Sequence, residues 1–347
     1  MRPGWLGVCA QAAFVVVGTV HAAQPPAAMP ADPASLLIRA ADSAKNQTFQ
    51  GIVIYRDEDR LESLRVVHRY QNGHESERVT SLNGEPREIF REDNKVWCIL
   101  PKDHMLLMER PTLKGILSQL TPERVHALAP LYDFRSLGSE RVAGRDCVGV
   151  GVVPRDNLRY GYEVWADKDT GLPLRISLVD KDDKIIEQMM FTEVDFPASI
   201  PDDAFETDLN TAKFKLIPRE LPDTPPPLLP VPGGDPDWSF DKLPEGFRVV
   251  MHDERKLPDG SGIVSHTLLT DGLSAISVFK DNGAEARKHF RGLSHMGSVQ
   301  AYSRMVGNYH VTVVGEAPVV TIRMIGDGLR YIGPETPPAA ADPESDH

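Results

Sequence analysis

The chain has 347 residues, 50 acidic against 38 Lys and Arg, giving a formal charge of −12, with 41% hydrophobic residues. That length accommodates two cores, since domains usually hold about 100–200 residues. The acidic balance argues against a general binder of nucleic acid or anionic membrane, whose affinity would come from clustered Lys and Arg.

Arg2, the apolar stretch Leu6 to Val20 and the small residues around Val20-His21-Ala22 and His21-Ala22-Ala23 form a secretory signal over residues 1–23. The apolar run is shorter than the roughly 20 residues of a bilayer-spanning helix. Cys9 leaves with the signal, and Cys98 and Cys147 remain. In an oxidising compartment they form either one disulfide or two separate buried thiols.

Asp32 or Ser35 caps a short helix with Pro33 in its first turn and Leu36, Leu37, Ala40, Ala41 and Ala44 as its apolar stripe. Strands are predicted at Phe49 to Tyr55, Leu64 to Tyr70, Ser76 to Thr80, Arg87 to Arg91 and Lys95 to Leu100, with turns at Asn72-Gly73 and Asn83-Gly84. From Met105 through Leu131 the spacing turns helical, with Leu113, Ile116, Leu117 and Leu120 on one face and a helix start at Thr121-Pro122-Glu123. Strands resume from about Tyr132 to Val194. Tyr160, Tyr162, Val164 and Ala166 alternate with Gly161, Glu163, Trp165 and Asp167, and Asp169-Thr170-Gly171 turns the chain toward Leu174, Ile176 and Leu178. Residues 32–217 thus read as one large curved antiparallel sheet with helices against one face. The proline-dense stretch 218–236 reads as a linker of limited flexibility. Residues 237–333 read as a small α+β domain. Its strands are Phe247 to His252, Ser265 to Leu269, Leu273 to Phe279 and Tyr309 to Val314, its turn Asp271-Gly272, and its helices Ala284 to Arg291 and Pro318 to Ile325. Residues 334–347 read as a disordered tail.

Catalytic patterns fail one by one. His74-Glu75 lacks the HExxH spacing that sets two imidazoles on one helical face, and no glycine-rich phosphate cradle is present. Gly272-Leu273-Ser274 falls at a strand, not at a strand-to-helix elbow. Asp57-Glu58-Asp59 and Asp180 to Asp183 sit at turns, as solvated charge does. Neither an enzyme, a metal nor a cofactor is expected. Trp97, Met105, Leu106, Leu107 and Met108, with Leu113 and Ile116, form either ordinary core or an adaptable apolar pocket under a helical lid. Arg87, Arg91, Arg110 and Lys114 flank that region, either as surface charge or as contacts for lipid phosphates.

The segments SLNGEPREIFRED, VAGRDCVGVGVVPRDNLRYGYEVWADKDTGLPL, TDGLSAISVF and VVGEAP, in that order and spacing, resemble the MucB/RseB family of periplasmic sigma-E regulators. The resemblance implies an α+β protein: a lipoprotein-carrier-like, unclosed antiparallel β-barrel with a helical lid, plus a smaller C-terminal α+β domain that helps grip a partner. It implies a periplasmic protein that binds the periplasmic domain of a membrane-spanning anti-sigma factor and shields it from regulated proteolysis. Lipopolysaccharide or lipoprotein acyl chains in the N-terminal cavity would trigger release. The lipid contacts are then Trp97, Met105, Leu106, Leu107, Met108, Leu113 and Ile116, and the partner contacts Asp271, Gly272, Leu273 and Phe279. Self-association into a homo-oligomer stays open. The alternative is a periplasmic lipid or lipoprotein carrier with no signalling role, which would leave the second domain without a task.

Overall fold

The computed structural model describes residues 32–57, 60–93, 95–100, 105–107, 120–207, 215–217, 235–256, 262–283 and 290–334. The signal segment 1–23, the stretch 218–234, the segment 284–289 and the tail from 335 lie outside them, as do Met108, Leu113 and Ile116. None of the described helices is long and apolar enough to cross a membrane.

Helix α1 (Pro33–Asn46) starts where Asp32 accepts the Ser35 N–H at 2.9 Å and Pro33 occupies the first turn. Its stripe of Leu36, Leu37, Ala40, Ala41 and Ala44 is buried. The chain then runs through β1 (Phe49–Asp57), β2 (Arg60–Gln71), β3 (His74–Ser81), β4 (Glu88–Glu92), β5 (Lys95–Leu100) and β6 (Met105–Leu107). Helix α2 (Pro122–Leu128) follows, then β7 (Tyr132–Val142), β8 (Arg145–Pro154), β9 (Gly161–Asp167), β10 (Pro173–Val179) and β11 (Ile185–Asp195). A 3-10 turn at Asp202–Phe205 leads toward β12 (Lys215–Ile217).

These strands make one twelve-stranded sheet in the order β12-β6-β5-β4-β3-β2-β1-β11-β10-β9-β8-β7. Its ends, β12 and β7, do not pair with each other, so the sheet stays unclosed; every pairing is antiparallel except β12 on β6. At the β2–β3 hairpin Asn72 and Gly73 both hold positive φ, as a two-residue turn that follows the strand twist requires. Helix α1 packs its stripe on Val150, Val152, Val164, Ala166 and Ile176. It is tied to the β9–β10 turn, where Arg39 donates to the Asp169 carbonyl and Ser43 to the Thr170 carbonyl. Gly171 in that turn has φ +80°, and a β-carbon there would overlap the Ser43 hydroxyl, so helix and turn fit only around glycine.

The small unit has β13 (Trp238–Phe240), β14 (Arg248–Lys256), β15 (Ile263–Thr270), β16 (Ala275–Asp281), β17 (Gly292–Met296), β18 (Val299–Val306), β19 (Tyr309–Gly315), α3 (Val319–Gly328) and β20 (Leu329–Tyr331). Six strands order as β14-β15-β16-β19-β18-β17, and β13 pairs with β20. Ile322 and Ile325 of α3 seal Leu269, Ile276, Val278, Val311 and Val313, with Trp238 and Phe247 completing the core.

Three local expectations are corrected. Met105 to Leu107 is a strand, not the start of a helix, because it pairs with β5 on one side and β12 on the other. A short continuous apolar run does not distinguish the two states, and the second partner lies far along the chain. The strand expected from Leu273 begins at Ala275, because Asp271 captures the N–H groups of Leu273 and Ser274 and prolongs the turn. Beyond Gly292 the chain forms the β17–β18 hairpin, where no strand is expected from sequence.

Leu37 is 1% exposed and sits in the middle of the α1 contact. Leu37→Ala is expected to cost about 2–5 kcal/mol of stability by removing buried methyl groups and leaving a cavity, measured by urea unfolding.

Candidate functional site at the junction of the two sheets

The two sheets meet along a seam whose centre is a buried ion pair. The loop between β8 and β9 presents Arg159, and the β15–β16 turn presents Asp271; both side chains are 0% exposed. Arg159 Nη1 donates to Asp271 Oδ2 at 2.9 Å, and Tyr132 at the start of β7 donates to the same oxygen at 2.9 Å. Asp271 Oδ1 accepts the backbone N–H groups of Leu273 at 2.8 Å and Ser274 at 2.7 Å. The rest of the guanidinium is also spent. Its Nε and Nη2 reach Asp156, Nη2 reaches the Glu245 carbonyl at 2.7 Å, and its plane lies near the rings of Tyr132 and Phe247. Such a pair survives burial because nearly every donor and acceptor it carries is satisfied.

The electrostatics follow from that geometry. Burial, then the Asp271 charge, pushes the Tyr132 hydroxyl well above its ordinary pKa, so it stays a donor. Burial works most strongly against the Arg159 charge, but Asp271, Tyr132 and Asp156 together outweigh it and the guanidinium is held above its usual value. Around the pair, Thr321 donates to the Leu158 carbonyl at 2.5 Å, Tyr162 donates to Glu316 at 3.0 Å, and Leu273 packs into the core under α1.

The expected partner residues are therefore divided. Asp271 and Gly272 are buried in the seam and Leu273 is packed on the large domain, so these three do not face outward. In this arrangement the Asp271 carboxylate spends its bonds inside the molecule and has none left over for a partner. Phe279 is half-buried on the sheet face away from α3, stacked on His266 at 4.5 Å.

Of the expected lipid residues, Trp97 and the strand positions of Met105, Leu106 and Leu107 fall within the described residues. Trp97 pairs across the strands with Phe90, while its neighbours Val96 and Cys98 are buried toward the opposite face. Phe90, Trp97, Ile99 and Phe205 line a groove of about 330 Å³. A separate hollow beneath α1, bounded by Ala44, Phe49, Val66, Ile176, Met189 and Phe191, measures about 30 Å³, too little for an acyl chain. Met105, Leu106 and Leu107 lie on β6, which pairs directly with β5, the strand of Trp97, and Met108, Leu113 and Ile116 fall outside the described residues.

Of the two readings of the cysteines, the structure takes the second: Cys98 and Cys147 are both buried and are not joined to each other. Cys98 sits on β5 and Cys147 on β8, with seven strands between them in the sheet order, so the disulfide expectation is corrected. Burial, then Asp167, pushes the Cys147 thiol up to about 11.

Two clusters bring three metal-type donors together among the described residues: His68, Glu75 and Glu77, and Asp235, His252 and Glu254. Each already holds a protein cation. Arg91 Nε lies 3.8 Å from both Glu75 and Glu77, and Lys280 pairs with Asp235.

Arg159 and Tyr132 escaped the sequence reading. The available signal was an arginine in the turn-rich segment Arg155-Asp156-Asn157-Leu158-Arg159, between two strongly apolar strands. Arg159→Met is expected to destabilise by about 3–5 kcal/mol because it strands a buried carboxylate, whereas Arg159→Met with Asp271→Leu should recover most of that loss; thermal unfolding of the single and double variants measures both. Both thiols should react with a thiol reagent only after denaturation, since burial keeps them closed and, at Cys147, protonated.

Comparison with known proteins covers both sheets. The MucB/RseB N-terminal domain matches residues 32–209 and the MucB/RseB C-terminal domain residues 233–330. Sigma-E factor regulatory protein RseB of Salmonella typhimurium is 31% identical over 307 residues, 87% of this chain and 92% of its own. Sigma factor AlgU regulatory protein MucB of Pseudomonas aeruginosa is 30% identical over 318 residues, 88% of this chain and 93% of its own. The Pseudomonas aeruginosa MucA/MucB complex aligns with a TM-score of 0.66 at 26% identity, covering 88% of this chain and 100% of that one. The structure of MucB aligns at 0.57 and 25% identity, covering 87% and 98%. With both domain matches in sequence order and most of each relative's length covered, the chain belongs to the MucB/RseB family.

Proposed function

We propose that this chain is a periplasmic negative regulator of a sigma-E type envelope-stress response. It binds the periplasmic domain of a membrane-spanning anti-sigma factor and shields it from regulated proteolysis. It lets go when lipopolysaccharide or lipoprotein acyl chains occupy the large domain. Residues 1–23 direct export and are removed. The chain acts by binding, not by catalysis.

The observation that carries this reading is the similarity to MucB in complex with MucA(peri), which spans 87% of this chain and 100% of that one at a TM-score of 0.66. Neither sheet alone supplies such a span, so the likeness concerns a two-domain binder. A carrier with no signalling role would leave the six-stranded sheet idle. Release by a lipid is linkage: a ligand that binds the free regulator better than the complexed one shifts the equilibrium toward release. The hollow under α1 is small as it stands, so lipid entry in this reading requires α1 to shift outward from the sheet. On the small sheet, Phe279 supplies partner contact from the face away from α3.

The test is protease protection. The purified mature protein should protect the periplasmic domain of its cognate anti-sigma factor from the site-1 protease, and added lipopolysaccharide should restore cleavage. Absent protection, with lipid still bound, would leave the carrier reading in its place.

A further inference from the structure

The seam carries a second polar contact whose hydrogen count does not close. Glu187 on β11 and Glu316 just after β19 approach from the two sheets through one hydroxyl. Ser298 Oγ lies 2.8 Å from Glu187 Oε2 and 2.9 Å from Glu316 Oε1. Tyr162 Oη lies 3.0 Å from Glu316 Oε2, and the Tyr55 hydroxyl bonds to Glu187. Four oxygen–oxygen contacts thus share three hydroxyl hydrogens. With both carboxylates ionised, the fourth contact would set lone pair against lone pair. One proton on either Glu187 or Glu316 supplies the missing hydrogen and removes one charge from the seam.

Among the described residues the surroundings offer no other remedy. On β1, Asp57 stands opposite Glu187 and adds a third carboxylate, whose Oδ1 is buried without a hydrogen-bond partner. Gly297, at φ +60°, lies against that carboxylate so closely that no side chain fits. On β10 the residue opposite Glu187 is Leu178, on β9 the facing group is the Tyr162 phenol, and Arg60, opposite Asp57 on β2, is exposed. Among the described residues neither Glu187 nor Glu316 has an ion pair, and the cation of the seam, Arg159, is committed to Asp271 and Asp156. Burial first, and the Glu316 charge second, pushes the Glu187 carboxyl up. Burial, then Glu316, pushes the Tyr162 hydroxyl far up, and burial, then Glu187, does the same to Tyr55, so both phenols remain donors.

We propose that Glu187, Ser298 and Glu316 form a pH-sensitive latch between the two sheets, closed when the two carboxyls share one proton and loosened when that proton leaves. A carboxyl that binds its proton more tightly in the closed seam than in the open one favours closure at low pH. The contribution is fully present at low pH and falls away as pH rises through the raised value. The latch concerns how the sheets hold each other and stands independently of the regulator reading.

Hydrogen exchange of the full mature chain, corrected for the intrinsic pH dependence of the exchange chemistry, tests it between about pH 5 and pH 8, a window above the ordinary carboxylate value of about 4.3. Segments containing Glu187 and Ser298 should lose protection several-fold as pH rises, while the α3 core does not. Glu187→Gln and Glu316→Gln each carry an amide hydrogen in place of the acid proton, so each should keep the seam protected at both ends of the range. A flat wild-type profile overturns the proposal, and so does a wild-type profile retained in either folded variant. Circular dichroism identifies a variant that has not folded, in which case the other decides the matter.

Discussion

The arrangement of the molecule depends on one buried charge pair. Arg159 and Asp271 come from different sheets, are fully covered, and close each other's hydrogen-bonding needs together with Tyr132, Asp156 and Glu245. An apolar seam could hold two domains at many angles, because dispersion and hydrophobic burial are not directional. A guanidinium with donors on three sides accepts only one. The cost of leaving either charge unpaired in a dry seam then makes partial separation unfavourable.

Around that pair the surfaces divide into committed and free. The large sheet commits the face beneath α1, where the Val150, Val164 and Ile176 rows are buried, and a second core around Phe49, Leu174 and Phe191. The small sheet commits one face to α3. Among the described residues, the face carrying Phe279 and the edge strand β17, on which Leu293 and Met296 are exposed, are not packed on by another element. Apolar side chains on an uncovered edge are the kind of surface that natural sheets usually protect.

Much of the fold was legible in the sequence. The stripe of α1, the hairpin at Asn72-Gly73, the alternation through β9 and the glycine turn at Gly171 are local signals, and local physics produced them. The family's large open sheet and smaller second domain were legible because ordered segments such as TDGLSAISVF span both. The misreadings share a cause. Met105 to Leu107 became a strand because of partners elsewhere in the chain, and Asp271 turned inward because an arginine from the other sheet waits for it. Trp97 does line a groove, beside Phe90 and on the sheet face opposite Val96 and Cys98, but which apolar residues of the neighbouring strands share that face was not legible from spacing. Face and partner are global properties, and spacing alone does not report them.

The order of strands has a consequence for how the chain reaches this state. β1 to β6 form one run in which each strand pairs with its neighbour in sequence, and β7 to β11 form another; among the described residues the two runs pair as strands where β1 meets β11. At that join the Arg56 guanidinium reaches the Ile185 carbonyl across 129 positions. Each run can zip from short loops, but the join must close a long loop, and its entropy is lost before any contact repays it. Until then both halves carry a bare strand edge, open to the wrong neighbour. The alanine-rich helix, though encoded ahead of both runs, lies mainly on strands of the later one, so its native face exists only once those distant strands have formed.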